Sequence, residues 1–279
     1  MSQIFQRIFH ERDPVAEQLP LYGSPIPIIV LTLIYLAIVL VLGPLFMRNR
    51  KPFNIKNVIL AYNFAQIIAN CWLCYQFIVI FYANRADVPD FGCLTKFPHS
   101  PALQELNIYG LYIFYLLKVI DYVETVFFVL RKSFKQVSFL HIYHHIMMST
   151  FVYYLGSYYG GAGQYASVIA LNCAVHGFMY TYYLISALQP NKKMGLWWKK
   201  YITRIQLTHF VLVLLHHSYP LIFRPQCGFP KGLLWFAVCQ SLIMVALFGN
   251  FYRRTYLQNK QNKEKEDING NKEKSVKNK

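Results

Sequence analysis

The sequence predicts an all-α protein that crosses a membrane seven times. The 279-residue chain is 55% hydrophobic and 17% aromatic. Only 14% of its residues are charged, whereas a soluble domain usually carries about 25%. Seven apolar runs are long enough to cross ~30 Å of hydrocarbon as helices. The composition therefore excludes a largely disordered chain and argues against a soluble nucleic-acid-binding protein.

The seven predicted spans are separated by connections of 6 to 25 residues. They are 26–47, 58–82, 108–130, 137–155, 164–188, 205–223 and 232–252. None of them alternates polar and apolar residues as the strands of a membrane β-barrel do. We therefore expect a non-cytosolic segment at 1–25, a membrane domain of seven helices at 26–252, and a basic, disordered tail at 253–279.

The basic residues indicate how the helices are oriented. The formal net charge is +16, and 21 of the 28 basic residues fall in 48–56, 131–135, 192–204 and the tail from 253. Only four acids accompany them, whereas the connections on the other side hold six basic and six acidic residues. Because basic loops stay in the cytosol, the N-terminus is predicted to be non-cytosolic and the C-terminus cytosolic.

Three charged residues lie inside the third predicted span, where each costs about 2.5–3.5 kcal/mol at a helix centre. At 100° per residue, Lys118, Asp121, Glu124 and Thr125 share one face of this helix. Two interpretations stay open from the residues alone. The charges are either an ion-pair network that holds helices together or one wall of an active site.

The fourth span carries three histidines on one helical turn, His141, His144 and His145. Histidine acts as a base, a nucleophile or a metal ligand, and the spacing alone does not choose among these roles. Polar residues also share one face of the fifth span and line the start of the sixth: Asn172, His176, Tyr180, Tyr183, Thr203 and Gln206. Counting residues from the cytosolic ends brings all of these groups to one chamber in the cytosolic half of the bundle.

Cys93 and Cys227 lie in two connections that the predicted topology places on the same non-cytosolic side. Disulfides persist in the oxidising compartments of the secretory pathway. We therefore expect these two cysteines to form a disulfide.

Several of these motifs resemble those of the ELO family of very-long-chain fatty-acid elongases. Residues 139–145, Phe-Leu-His-Ile-Tyr-His-His, are similar to the histidine box of that family. The fifth span resembles the motif NxxxHxxMYxYY, and the sixth resembles TxxQxxQF with His209 in place of the second glutamine. The pattern KxxExxDT is present with its two acids exchanged, as Asp121 and Glu124. The resemblance runs from Asn49 through the seventh span.

The resemblance implies a 3-oxoacyl-CoA synthase, which condenses a long-chain acyl-CoA with malonyl-CoA and releases CO2 and CoA. His144 is then expected to accept the acyl group, oriented by His141, His145 and the acids of the third span. His176 and Asn172 are expected to bind the developing oxyanion or assist decarboxylation. Tyr180, Tyr183, Thr203 and Gln206 would contact substrate. CoA phosphates would meet a set of cytosolic cations, namely Lys199, Lys200, Arg204, Arg253 and Arg254.

The resemblance also implies residence in the endoplasmic reticulum membrane, with the N-terminus lumenal. We expect no metal or cofactor beyond the two CoA substrates. Membrane lipid, other enzymes of the elongation cycle and a second copy of the chain are the expected partners. Two alternatives stay open: a membrane non-haem iron desaturase or hydroxylase, which uses more histidine boxes than this chain has, and a seven-span receptor or transporter.

Overall fold

The computed structural model describes residues 13–83, 92–93, 101–189 and 196–258. Within these ranges the chain forms helices and no strands. The α-helices are α1 (Pro14–Gln18), α2 (Ile26–Ala37), α3 (Gly43–Met47), α4 (Lys56–Ala83), α5 (Pro101–Ile120), α6 (Tyr122–Leu130), α7 (Phe139–Tyr154), α8 (Ala166–Leu188), α9 (Leu196–Phe223) and α10 (Lys231–Tyr252). Three π-helical turns continue α2, α7 and α10, at Ile38–Leu42, Leu155–Tyr159 and Arg253–Gln258.

Five helical segments of the described chain are long and apolar enough to cross a membrane, so the protein is a multi-pass membrane protein. They are Ile26–Met47, Lys56–Val79, Gly163–Leu188, Trp198–Phe223 and Lys231–Gln258. Large apolar side chains cover their outer faces, and Ile26 and Leu33 are 65% and 60% exposed. Such exposure suits contact with lipid. These segments coincide with predicted spans one, two, five, six and seven.

The predicted third and fourth spans are helical but are not among these five segments. The third span is divided at Asp121, where the amide of Glu124 donates to the Asp121 carbonyl at 3.2 Å. This three-residue step is tighter than an α-helical turn. α7 begins at Phe139, because Ser138 caps its first turn by accepting from the amide of His141. Both segments also contain the polar residues that lower hydropathy.

The sixth predicted span begins earlier than the sequence suggested. α9 starts at Leu196 rather than at residue 205, so Lys199, Lys200 and Arg204 are helical. Arg253 and Arg254, assigned to the tail, lie in the π-helical turn after α10. The rest of the tail and residues 1–12 fall outside the described residues.

The helices pack into a bundle whose most extensive pairs are α4 with α8 and α9 with α10. α5 packs against α4 and α7, and α9 also contacts α8. A stripe of buried residues on α4 faces the interior, at Asn63, Gln66, Asn70, Leu73 and Phe77. Their spacing of three and four residues is that of one helical face. Three of the five are amides, so the interior beside α4 is polar at one end and apolar at the other.

The two ends of the bundle differ in chemistry. At one end a disulfide joins Cys93 to Cys227, across 134 residues of sequence. We call this the disulfide end. The other end carries the connections 48–56 and 131–138 and the turn Arg253–Gln258, and we call it the basic end. All residues of the polar site described below lie toward the basic end or midway along the helices.

Tyr22 closes the disulfide end. Its side chain is fully buried, and its hydroxyl donates to the carbonyl of Leu111 or Val152, each 3.4 Å away. The ring packs against three other tyrosines, Tyr112, Tyr115 and Tyr153. A β-carbon on Gly156 would lie 2.5 Å from the Tyr22 hydroxyl oxygen, so this approach requires glycine. Burial raises the pKa of the Tyr22 phenol well above its usual value, and the group is neutral at all physiological pH values.

We predict that Cys93→Ser lowers the stability of the protein, because removing a native disulfide typically costs about 2–5 kcal/mol. The thermal midpoint in detergent should fall, and the wild-type protein alone should change mobility on reduction. Cys239→Ser is the control, since Cys239 is a free, exposed cysteine. An unchanged midpoint in the Cys93 variant would contradict a stabilising role for the disulfide.

Candidate active site

A buried carboxylate organises the polar residues of the bundle. Asp121 is 1% exposed, and its Oδ2 lies 3.0 Å from the ammonium of Lys118. Its other oxygen, Oδ1, accepts from Gln66 Nε2 at 2.8 Å and from the Tyr180 hydroxyl at 3.0 Å. Buried ion pairs are tolerated when their remaining hydrogen-bonding capacity is filled in this way. Asp121 therefore ties together α4, α5 and α8.

Lys118 connects this carboxylate to a histidine on α8. Its Nζ lies 3.5 Å from Nδ1 of His176, as well as 3.0 Å from Asp121. An ammonium has only donors, so Nδ1 of a neutral His176 accepts and Nε2 carries the ring proton. His176 therefore presents an N–H on the side of the ring away from Lys118.

The histidines of α7 lie against α6. His141 Nε2 shares a hydrogen bond with the Thr125 hydroxyl at 2.8 Å, and Thr125 also bonds Tyr35 at 3.0 Å. His145 Nε2 lies 3.9 Å from Glu124 Oε2. On the polar face predicted from the sequence, Thr125 therefore contacts His141 of α7, and Glu124 lies near His145 of the same helix.

His144 has a different environment. Among the described residues, neither of its ring nitrogens has a hydrogen-bond partner in the protein. Its ring lies 6.3 Å from that of His176 and nearly parallel to it, with 24° between the planes. His144 is consequently the histidine of the box that has no hydrogen-bond partner among the described residues.

Two cavities approach this cluster from opposite ends of the bundle. The apolar cavity lies between α7, α8, α9 and α10 and is lined by Met148, Phe151 and Phe236. Asn172 and His209 form its polar end, and the buried Oδ1 of Asn172 and Nε2 of His209 have no protein partner there. On α7, Met148 follows His144 by one turn, so the face that bears His144 continues into this cavity.

The second cavity opens at the basic end, and we call it the basic-end cavity. It has a volume of about 360 Å³ and lies between α4, α6 and α8 and the connections that follow α3 and α6. Lys56 and Arg131 are at its rim, and Tyr62, Asn63 and Glu124 line its interior. The buried Nδ2 of Asn63 has no protein partner.

The residues expected at the substrate mouth are arranged by α9 and α10. The Thr203 hydroxyl donates to the Lys199 carbonyl at 3.1 Å and lies 3.5 Å from the Tyr256 hydroxyl. Arg204 Nε donates to the Tyr252 hydroxyl at 3.0 Å, which ties the start of α9 to the end of α10. Gln206 contacts the sulfur of Met179 at 3.6 Å. The cations of this mouth are at the surface: Lys199, Arg204, Arg253 and Arg254 are exposed, and Lys200 is half-buried.

Glu124, His141 and His145 each offer one ligand atom, and these three atoms lie within 4.8 Å of one another. Such a spacing could hold a metal ion, whereas the sequence led us to expect none. In this arrangement the same side chains have protein partners, because His141 bonds Thr125 and His145 faces Glu124. Of these contacts, His141–Thr125 at 2.8 Å is a hydrogen bond, whereas His145 and Glu124 lie 3.9 Å apart.

Several residues of the site were missed by the sequence analysis, and most of them lie on α4. Gln66 bonds Asp121, Tyr62 lies 3.4 Å from the Tyr180 hydroxyl, and Asn70 donates to the Gln66 carbonyl at 2.8 Å. The sequence did contain an indication of these residues, because Asn63, Gln66 and Asn70 recur at helical spacing in a span that has no charged residue. On α7, Ser149 shares a 2.5 Å hydrogen bond with Tyr122 of α6, which was also missed.

The fold and the site define a class of protein: a multi-pass membrane protein with a buried cluster of histidines and carboxylates between two cavities. Residues 20–264 match the family described as the GNS1/SUR4 family, ELO. The chain belongs to the ELO family.

Relatives of known name cover most of the chain. Very long chain fatty acid elongase 7 of Drosophila melanogaster is 37% identical over 94% of this chain and 78% of its own length. Very long chain fatty acid elongase 1 of Mus musculus is 36% identical, over 92% of this chain and 91% of its own. Elongase 4 of the same species is 36% identical over 88% and 76%.

The buried pair makes a prediction about stability. Asp121→Asn leaves the Lys118 charge buried without a counter-ion, and breaking such a pair costs about 3–5 kcal/mol. The double variant Lys118→Met, Asp121→Asn removes that charge and keeps an oxygen that can accept from Gln66 and Tyr180. We expect the thermal midpoint in detergent to fall in the single variant and to recover largely in the double variant. A double variant as unstable as the single one would show that the unpaired charge is not the cause.

Proposed function

We propose that this protein is a very-long-chain 3-oxoacyl-CoA synthase, the condensing enzyme of fatty-acid chain elongation. It joins a long-chain acyl-CoA to malonyl-CoA and releases 3-oxoacyl-CoA, CO2 and CoA. The observation that carries this proposal is the position of His144, which has no hydrogen-bond partner among the described residues, faces His176 and lies one turn before Met148, a residue that lines the apolar cavity. The names of the relatives support the same conclusion, since all three are very long chain fatty acid elongases.

His144 is the group that accepts the acyl chain. An imidazole nitrogen attacks the thioester carbonyl, the C–S bond breaks, and CoA leaves while the acyl group stays on the ring. The apolar cavity beyond Met148 then holds the hydrocarbon chain. His141 and His145 position α7 through Thr125 and Glu124, so the ring between them is presented to the substrate.

His176 and Asn172 stabilise the negative charge of the second step. Decarboxylation of the malonyl group leaves an enolate, its carbon attacks the acyl carbon on His144, and the bond from that carbon to the imidazole nitrogen breaks, which releases 3-oxoacyl-CoA and restores the free histidine. Because Lys118 occupies Nδ1 of His176, the opposite N–H is available to an oxygen that develops negative charge. Asn172 lies one turn before His176 on α8, at the polar end of the apolar cavity.

The CoA portions bind at the surface formed by α9 and the end of α10. Lys199, Lys200 and Arg204 lie on one side of this mouth, and Arg253 and Arg254 lie on the other. Charged hydrogen bonds from such groups suit phosphate oxygens. Thr203 and Gln206 lie deeper along the same helix, toward the site, and Tyr180 flanks it from α8, whereas Tyr183 lines the basic-end cavity. No metal or cofactor takes part in the reaction we propose.

The membrane arrangement belongs to the same proposal. α5–α6 and α7 join the five apolar segments as further spans, which gives seven in the membrane domain 26–252. The charge asymmetry of the connections supports a cytosolic basic end and a lumenal disulfide end in the endoplasmic reticulum.

We predict that a cysteine introduced by Ser133→Cys and one introduced by Ser24→Cys, each in its own variant, react with an impermeant maleimide from opposite sides of sealed microsomes. Labelling of both variants from the same side would contradict the orientation.

The two alternatives make different demands. An iron desaturase or hydroxylase requires bound iron, so metal analysis of the purified, active protein distinguishes it from the synthase. A receptor or transporter requires no consumption of malonyl-CoA. The names of the relatives favour neither alternative.

We predict that His144→Gln lowers the condensation rate by on the order of 10³-fold or more, because the acyl acceptor is lost. The measurement is the formation of 3-oxoacyl-CoA from acyl-CoA and radiolabelled malonyl-CoA by purified enzyme. His216→Gln is the matched control, since His216 lies toward the disulfide end beside Gln164. A His144→Gln enzyme with the wild-type rate would exclude His144 as the acceptor.

A further inference from the structure

The basic-end cavity is separate from the apolar cavity and from the CoA mouth. It lies between α4, α6 and α8, whereas the proposed CoA mouth is built on α9 and α10. Neither the acyl chain nor the CoA phosphates need to occupy it. Its volume of about 360 Å³ is many times that of a water molecule, which takes about 30 Å³ in the liquid.

The interior of this cavity is suited to water. Asn63 is 3% exposed, and its Nδ2 donor has no partner in the protein. Tyr62 and Glu124 line the same interior, and Asn54 and Gln136 lie on its walls. Buried water typically makes about three hydrogen bonds to polar groups, and this cavity offers the unpaired Asn63 Nδ2 together with the polar atoms of Tyr62 and Glu124.

From the cavity, Glu124 extends toward the histidine cluster, to a distance that one bridging water or a small side-chain movement would close. Its Oε2 is 3.9 Å from His145 Nε2, and the ring of His145 lies 5.6 Å from that of His144. Asp121, the neighbouring acid, is occupied by Lys118, Gln66 and Tyr180. Glu124 is thus the carboxyl group that touches both the cavity and the histidine box.

The proposed reaction consumes one proton for each turnover. The acyl thioester loses its C–S bond, the malonyl group loses its carboxylate as CO2, and one new C–C bond forms. Charge balances only when the departing CoA thiolate takes up a proton. While the substrates fill the apolar cavity and the CoA mouth, this proton needs another path from water.

We propose that the basic-end cavity is a water-filled entrance, and that Glu124 passes a proton from this water through His145 to the histidine cluster. This inference rests on the proposed condensation. A carboxyl group that receives a proton from water on one side and gives it to an imidazole on the other ends each turnover unchanged. Glu124 is a positioning and relay residue in this account, since it acts through His145 and does not contact the substrate.

The exchanged order of the two acids suits this role. Glutamate has one methylene more than aspartate, and at position 124 the longer side chain spans the gap between α6 and His145 on α7. Aspartate at 121 is short enough to accept from three donors close to its own helix. The order Asp121, Glu124 therefore gives each acid the reach that its partners require.

The test is chemical rescue of Glu124→Ala in the purified full-length enzyme. The variant should condense about 10²-fold more slowly, within the range that proton transfer by a side chain contributes. Acetic acid can enter the cavity and replace the lost carboxyl group, so acetate buffer should restore the rate at least about tenfold. Acetamide has nearly the same shape as acetic acid but is a far weaker acid, so it cannot pass on a proton in the same way. It should restore little of the condensation rate. Equal rescue by acetamide, or an unchanged rate in the variant, would overturn the relay.

A second pair of variants keeps the test decisive if Glu124→Ala does not fold. Ser186→Trp fills the cavity from α8 and should slow condensation about tenfold or more without weakening acyl-CoA binding. Phe178→Trp is its control, because Phe178 lies on the outer face of α8 and is 64% exposed. A full rate in Ser186→Trp would exclude the cavity as the entrance. If the wild-type enzyme forms no 3-oxoacyl-CoA, the proposed function fails. If the wild-type enzyme is active and the Glu124 and Ser186 variants condense at the same rate, the proposed function stands and only the relay fails.

Discussion

The buried contact between Asp121 and Lys118 is the interaction on which the site depends. An unpaired charge at this depth would be expensive, and the pair is held by Gln66 from α4 and Tyr180 from α8. These helices form the most extensive packing contact of the bundle. The same ion pair holds Lys118 beside His176, so the contact that makes the buried charge tolerable also orients the ring of this histidine.

The position of Asp121 also explains the divided third helix. The backbone tightens there, and α6 restarts with Glu124 and Thr125 facing α7. Each of these residues meets one histidine, Glu124 meeting His145 and Thr125 meeting His141. His144 stays unpaired between them. The contacts of its two neighbours with α6 thus fix the position of α7 while His144 keeps its ring nitrogens unbonded, as the proposed acyl acceptor requires.

Much of this arrangement could be predicted from the sequence, because charge in a membrane segment is costly and helical spacing is regular. Lys118, Asp121 and the three histidines were found in this way, and the structure brings them together. The partners of Asp121 on α4 were not found, since an amide such as Gln66 carries no charge and its neighbours are apolar. The early start of α9 was missed because Lys199, Lys200 and Arg204 resemble a loop in composition although they are helical. The basic-end cavity depends on three helices and two connections from separate parts of the chain, and no local pattern encodes it.

The central claim is that His144 carries the acyl group between two half-reactions. The most direct measurement is peptide mass spectrometry of enzyme incubated with acyl-CoA in the absence of malonyl-CoA, with free CoA measured in parallel. The account predicts an acyl group on His144 and release of up to one CoA per enzyme molecule. Release of CoA only when malonyl-CoA is present, with no acylated His144 peptide at any time, would contradict it.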